Sequence, residues 1–175
     1  AEAASTVGGR QIRNRATCIG NIVNASPLAD TATPLYCYGA VVEIFGLPGR
    51  REVPILEFIQ FVRKVDLRPG ELVTGIRVPY LANATGVFRK IARRNEVDLS
   101  TVCGTVLRTS GGWRIAMGSV APTPLRLPKT EALLAGKPLS DALIEEAALL
   151  AATEVSPIDD VRADKQYRLD IVSYL

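Results

Sequence analysis

The segment TVCGTVLRTSGGWRIAMGSV, residues 101–120, restricts the folds open to this chain more than any other stretch. Two runs rich in branched and aromatic residues flank Ser110, Gly111 and Gly112, the residue types that reverse an antiparallel hairpin. Trp113, Ile115 and Met117 recur with period two and so share one face of the second strand. Just upstream, GVFRKIARR alternates as well. It sets Phe88, Lys90 and Ala92 on one face and Val87, Arg89 and Ile91 on the other. Three antiparallel strands are the economical reading.

The rest of the chain is organised around that sheet. YGAVVEIFG, the LPG turn and RREVPI form an earlier hairpin, and RPGELVTGIRVP turns at Pro69 and Gly70 into a strand that stops at Pro79. LEFIQFVRKVD is ambiguous between a short helix and a loop with apolar anchors. The tail is helical. KTEALLAG ends at Gly136; SDALIEEAALLAATE takes Ser140 as its N-cap and places Leu143, Ala147 and Leu150 on one stripe; DDVRADKQYRLDIVSYL supplies a last helix. The expected class is α+β: a mixed first unit, residues 1–79, then a second unit, 80–175, of three antiparallel strands with packed helices. Trp113 reads as a packing residue, Arg93 and Arg94 as strand-end charges, and Arg162, Tyr167 and Arg168 as anchors of the last helix.

Composition excludes several functions. With 175 residues, 47% of them hydrophobic, the chain can bury a core. Its net charge of +3 is spread along the sequence, which argues against a nucleic-acid face. No apolar run approaches the roughly 18 residues needed to cross a bilayer, so a soluble chain is expected. There is no histidine, which removes the usual general base, hydrolytic triads and His-bearing zinc sites. Redox chemistry would need a borrowed cofactor. Cys18, Cys37 and Cys103 are odd in number and widely spaced, which suggests reduced cytoplasmic thiols and offers no metal site.

One stretch stands apart. QIRNRATCIGNIVNASPLAD, residues 11–30, crowds Asn, Ser, Thr and Arg among small residues. Gly20, Ala25 and Ser26 would let a ligand approach the backbone, whose N–H groups can hold phosphate oxygens. Thr17, Asn21 and Asn24 add side-chain donors and acceptors, and Asp30 could accept from a polyol hydroxyl. Composition alone also describes a surface loop that caps its own backbone.

Order along the chain separates the two. GGRQIRNRATCIGNIVNASPLAD resembles the flavin-binding segment of the FAD subunits of molybdenum hydroxylases, the xanthine dehydrogenase, carbon monoxide dehydrogenase and aldehyde oxidase family. RPGELVTGIRVP, FRKIARRNEVDLSTV, GSVAPTPLRLPKTEALLAGKPL and SPIDDVRADKQYR resemble that family's later blocks, in the same order. The resemblance implies an FAD subunit that takes electrons from [2Fe–2S] clusters and passes them to an external acceptor. The molybdenum cofactor and the clusters would sit in partner subunits, in a cytoplasmic hetero-oligomer. It also implies that Thr17, Cys18, Ile19, Gly20 and Asn21 line the flavin nucleotide, chiefly through the backbone, and that Asp30 binds it by its carboxylate. Val73 would touch the ring system, Arg89 or Lys90, with Lys90 favoured, would supply the basic contact, and Val7 falls where some members place an aromatic. No residue is implied as a catalytic acid or base, and none as a metal ligand.

Two departures stand against this. The family's T-I-G-G-N is T-C-I-G-N here, and a β-branched Ile19 would be strained if that position needs positive φ. Nothing before residue 11 resembles the family's glycine-rich pyrophosphate loop, so a C-terminal portion of a longer flavin subunit is expected. The alternatives are a truncated non-catalytic remnant serving as a subunit-interface scaffold, or a nucleotide-binding module of another family.

Overall fold

The structure, a computed structural model, describes residues 1–175. Four short helices open the chain: α1 (Glu2–Ser5), α2 (Arg10–Arg13), α3 (Cys18–Val23) and α4 (Ala32–Tyr38). The first hairpin follows as β1 (Val41–Gly46) and β2 (Gly49–Pro54), with Gly49 at a φ of +116°. The ambiguous stretch divides into a single helical turn, α5 (Ile55–Phe58), and a small hairpin of β3 (Ile59–Phe61) and β4 (Lys64–Val65). Then β5 (Leu72–Arg77) returns beside β1, giving the antiparallel order β2-β1-β5. A Cβ on Gly75 of β5 would stand 2.6 Å from the Glu43 carboxylate, so a larger residue there would push that side chain aside.

The second sheet contains the three strands read from the sequence: β6 (Thr85–Ile91), β7 (Val102–Thr109) and β8 (Gly112–Gly118). A fourth strand of two residues, β9 (Leu125–Arg126), extends it through Ala116↔Arg126 and Met117↔Leu125. Three helices follow: α6 (Pro128–Leu134), α7 (Asp141–Thr153) and α8 (Lys165–Tyr174). Proline at the first position of α6 lacks only an N–H that would be unpaired there. Glu154 accepts from the next two N–H groups, of Lys129 and Thr130, at 2.8 Å each. Ser140 caps α7 as expected, and the buried stripe of that helix is Leu143, Ala147 and Ala151, with Leu150 half-buried beside it. No helix is long and apolar enough to cross a membrane.

Two cores hold these layers. The smaller joins Ile115, Met117 and Val102 of the second sheet to Leu134, Leu143, Ala147 and Val172 of the helices behind it. Trp113 packs against it with the Arg108 guanidinium 5.7 Å from its ring. The larger core takes Val42, Ile44 and Val53 from the first sheet, Ile22, Tyr36 and Phe58 from the helices, and Leu107 and Ala116 from the second sheet. Each such side chain contributes about 1.5–3 kcal/mol by leaving water. Because α4 lies on β7 and β8, the end of this opening segment is fixed to the sheet that carries Lys90.

Arg168 is an anchor, as read from the sequence. Its guanidinium is buried and donates to the carbonyls of Thr101 and Ser119 and to Asp160. Arg162 pairs with the same Asp160 at 3.2 Å. Tyr167 differs: nearly half exposed, it lies along the surface of α8.

Candidate flavin site

The centre of the unusual stretch is a helix start. Thr17 holds an extended conformation ahead of α3, and its hydroxyl accepts from the Gly20 N–H at 2.9 Å, a side-chain N-cap. A Cβ on Gly20 would stand 3.0 Å from the Thr17 hydroxyl and would crowd this cap. The N–H groups of Cys18 and Ile19, at the first two helical positions, find no acceptor in the chain. Ile19 is not among the residues with positive φ, so the departure from the family's glycine carries no backbone strain. Asn21, one turn on, accepts from the Thr31 hydroxyl at 2.6 Å. The self-capping reading holds for Thr17 and for Ser26, which accepts from Leu28 N–H at 3.2 Å. Capping and ligand contact are compatible, because the cap uses one donor and leaves two.

Thr17, Cys18, Asn21 and Thr31 line a cleft of about 350 Å3 together with Val7 and Arg13, whereas Ile19 and Gly20 stand outside its wall. Val73 lies on β5, which packs beside α3; it pairs with Ile44 and is half-buried against the larger core.

Asp30 and Lys90, sixty residues apart in sequence, meet in an ion pair at 2.7 Å. Asp30 is buried. One of its oxygens accepts from Lys90 and lies 3.1 Å from the Thr6 hydroxyl, whose single proton is shared with the Ala3 carbonyl at 2.9 Å; the other accepts from Ser100. Lys90 spends its remaining protons on the carbonyls of Thr6 at 3.1 Å and Asp98 at 2.8 Å. Arg89 projects from the opposite face of β6, 61% exposed, with Glu2 at 3.4 Å as its acidic partner. Lys90 therefore has all three protons engaged, and Arg89 has most of its donors free.

A second, more polar cleft of about 610 Å3 lies on the other side of residues 4–9, with Arg10, Gln11, Arg13, Lys90, Arg94 and Asp98 on its walls. Burial would raise the Asp98 carboxyl. The N–H donors of Leu99 and Arg94, with the Arg94 and Arg93 charges, outweigh burial and hold it below the usual carboxylate range. Sequence reasoning missed Thr6, Arg13 and Ser100 as parts of this region. Ser100 lies within a block already singled out, but nothing local ties it to residue 30.

Residues 1–81 match the FAD binding domain in molybdopterin dehydrogenase, and residues 87–175 match the CO dehydrogenase flavoprotein C-terminal domain. The chain belongs to this flavoprotein family. It is 35% identical over 177 residues to the xanthine dehydrogenase FAD-binding subunit of Escherichia coli O157:H7, covering 97% of this chain and 61% of that protein. To the carbon monoxide dehydrogenase medium chain of Hydrogenophaga pseudoflava it is 33% identical over 173 residues, covering 96% and 60%. The solved structure of carbon monoxide dehydrogenase from Hydrogenophaga pseudoflava superposes with a TM-score of 0.92 at 32% identity, over 99% of this chain and 62% of that one. The chain thus spans about six-tenths of the length of these relatives.

The residues fit the cofactor this family name implies. Two uncommitted N–H groups at a helix start and the Arg13 guanidinium suit phosphate oxygens, while Asn21 and Thr17 suit a polyol.

Proposed function

We propose that this chain forms part of the FAD-holding subunit of a molybdenum hydroxylase or dehydrogenase. When bound, FAD supplies the exchange of electrons between [2Fe–2S] clusters in one partner subunit, themselves fed from a molybdenum cofactor in another, and an external acceptor. The chain's own work is binding and tuning. The backbone N–H groups of Cys18 and Ile19 donate to the nucleotide, Gly20 allows the close approach, and Thr17 and Asn21 line its polar part. Val73 and Val7 give an apolar wall to the ring system. Lys90, on the wall of the larger cleft, is the favoured basic contact; Arg89 projects from the opposite face of β6 and lines neither cleft. Asp30, ion-paired with Lys90 at 2.7 Å, offers its carboxylate to the nucleotide. No side chain acts as a catalytic acid or base.

The same proposal divides the chain at residues 79 and 80 into the rear part of a flavin domain and a C-terminal unit, a few residues ahead of the break between the family matches at 81 and 87. A cytoplasmic location belongs to it too, supported by three unpaired cysteines of which two are buried. The observation that carries the proposal is the pair of acceptor-less N–H groups at the start of α3, the first of them, of Cys18, belonging to a residue on the wall of a cleft.

The test is a titration of the protein, purified with its native partners and stripped of cofactor, against FAD with ATP as competitor. Quenching of flavin fluorescence at one equivalent, undisturbed by excess ATP, is expected. Equal or better binding of ATP would refute it in favour of a general nucleotide module.

A further inference from the structure

The inner face of the first sheet carries a row of three residues, one from each strand. Ile44 of β1 pairs with Arg51 of β2 on one side and with Val73 of β5 on the other. Directly opposed residues share a face, so a guanidinium lies in the same row as the buried Ile44 and as Val73. Arg51 reaches beyond its own strand. It donates through Nε and Nη2 to the two oxygens of Glu71, at 2.8 and 2.7 Å, and through Nη1 and Nη2 to the carboxylate and carbonyl of Asp66, at 2.8 Å each. Asp66 and Glu71 are the two ends of the loop that delivers β5. Glu71 stands two residues before Val73, with its side chain 6% exposed. To meet it, the pair passes over Gly46 of β1, where a Cβ would stand 2.8 Å from the Glu71 Cγ. Beyond Val73 the register slips: Ile44 faces Val73 while Glu43 faces Gly75, which leaves Thr74 as an extra residue in β5. A bulge of this kind bends its strand and re-aims the neighbouring side chains.

From this geometry we infer that Arg51 and Glu71 form a clamp across β1 that, with the Thr74 bulge, sets where Val73 stands against the flavin ring system. Both are positioning residues acting through β5, and the inference rests on the flavin-site reading above. Three observations separate this clamp from ordinary surface pairing. The contact is two-pronged, guanidinium to carboxylate, the most directional kind of ion pair. It joins an edge strand to the start of the opposite edge strand, and Gly46 on the strand between leaves the room it needs. The outer face has its own pairing across the same strands, Arg77 with Glu43 and Glu52, whose side chains are 51%, 41% and 57% exposed. Cohesion between the strands is thus served on the outer face as well. What the clamp adds is a fixed start for β5 on the face that carries Val73.

The test compares Arg51→Met with Arg77→Met in the protein purified with its partners and labelled on its valine methyl groups. Without FAD, the Val73 methyl resonances should shift in Arg51→Met and keep their wild-type positions in Arg77→Met. FAD affinity should fall by about tenfold in Arg51→Met alone, the lower end of what one buried aliphatic side chain contributes, and the absorption bands of bound flavin should move with it. If Arg51→Met does not fold, Gly46→Ala, which keeps both charges but crowds Glu71, should reproduce the methyl shift and the weaker binding. Gly46 has no positive φ, so alanine adds no backbone strain there. Arg51→Lys, which lacks the planar fork, should fall between wild type and Arg51→Met. Val73 methyls that stay in place in both Arg51→Met and Gly46→Ala, or that move equally in Arg77→Met, would overturn the clamp. Shifted methyls with wild-type FAD affinity and spectrum would overturn its link to the flavin. Shifted methyls in a protein whose wild type binds no FAD would uphold the clamp and refute the flavin reading instead.

Discussion

Replacing Arg168 with Met should remove a large part of the chain's stability. The guanidinium is 2% exposed and donates to two backbone carbonyls, of Thr101 and Ser119, and to the Asp160 carboxylate at 2.7 Å. Methionine keeps the unbranched stem and the helix propensity, so the change isolates the polar head. Each carbonyl left buried without a donor costs about 1–3 kcal/mol. Asp160 is about a quarter exposed and regains water, so its loss sits at the weak end of the range for broken ion pairs. Relief from burying a charge, including an Nε that has no partner, offsets part of the total. The net expectation is a loss of roughly 2–4 kcal/mol, against about 5–15 kcal/mol for a whole domain. Urea denaturation should show a lower midpoint with an unchanged slope. Arg162→Met, which breaks a more exposed pair with the same carboxylate, should cost less than about 1 kcal/mol. A loss below about 1 kcal/mol for Arg168→Met would mean that water reaches both carbonyls, and would refute the anchoring role.

Other outcomes follow from single contacts. Thr17→Ala removes the cap on Gly20 N–H and should destabilise by about 1 kcal/mol, measured by thermal melting. Ile19→Gly, which restores the family's residue, should also destabilise by about 1 kcal/mol and leave FAD affinity no better, because Ile19 has no positive φ to relieve. A thiol reagent should label Cys18 alone in the folded chain, since Cys37 and Cys103 are buried and burial pushes both thiols up to about 12; labelling of all three at one rate would be wrong for this fold. Glu71, hydrogen-bonded by Arg51 and the Arg68 N–H, is held at about 2 instead of its ordinary 4.5. A carboxyl depressed on folding stabilises the fold above its unfolded value and loses that contribution as pH falls through its folded one. The slope of stability between about pH 4.5 and 2 should therefore flatten in Glu71→Gln, as followed by urea midpoints across that window.

The strands were legible because their signals are local. Alternation in GVFRKIARR and the glycines after Ser110 describe β6 to β8, and Ser140 marks the start of α7. The helices before residue 40 were not. CIGNIV mixes one glycine and one asparagine into six residues, so no periodicity develops, and only Thr17, three residues before the N–H it caps, betrays a helix start. ATPLYCY forms α4 because it packs on β7 and β8, about seventy residues away, which propensity cannot report. The two-residue β9 exists only as an edge partner of β8. Among the site residues, the family pattern singled out Asp30 and Lys90 separately, while their contact with each other arises from tertiary structure. The same holds for Thr6 and Ser100, whose hydroxyls matter because of where Asp30 ends up.

The most direct measurement of flavin binding at the start of α3 is a backbone amide NMR titration of the protein with FAD. The Cys18 and Ile19 resonances should move together and saturate at one equivalent, with Gly20 following through its cap and the amides around Arg168 unmoved. Saturating FAD that leaves Cys18 and Ile19 in place, or shifts only residues of the first sheet, would contradict a flavin held by that helix start.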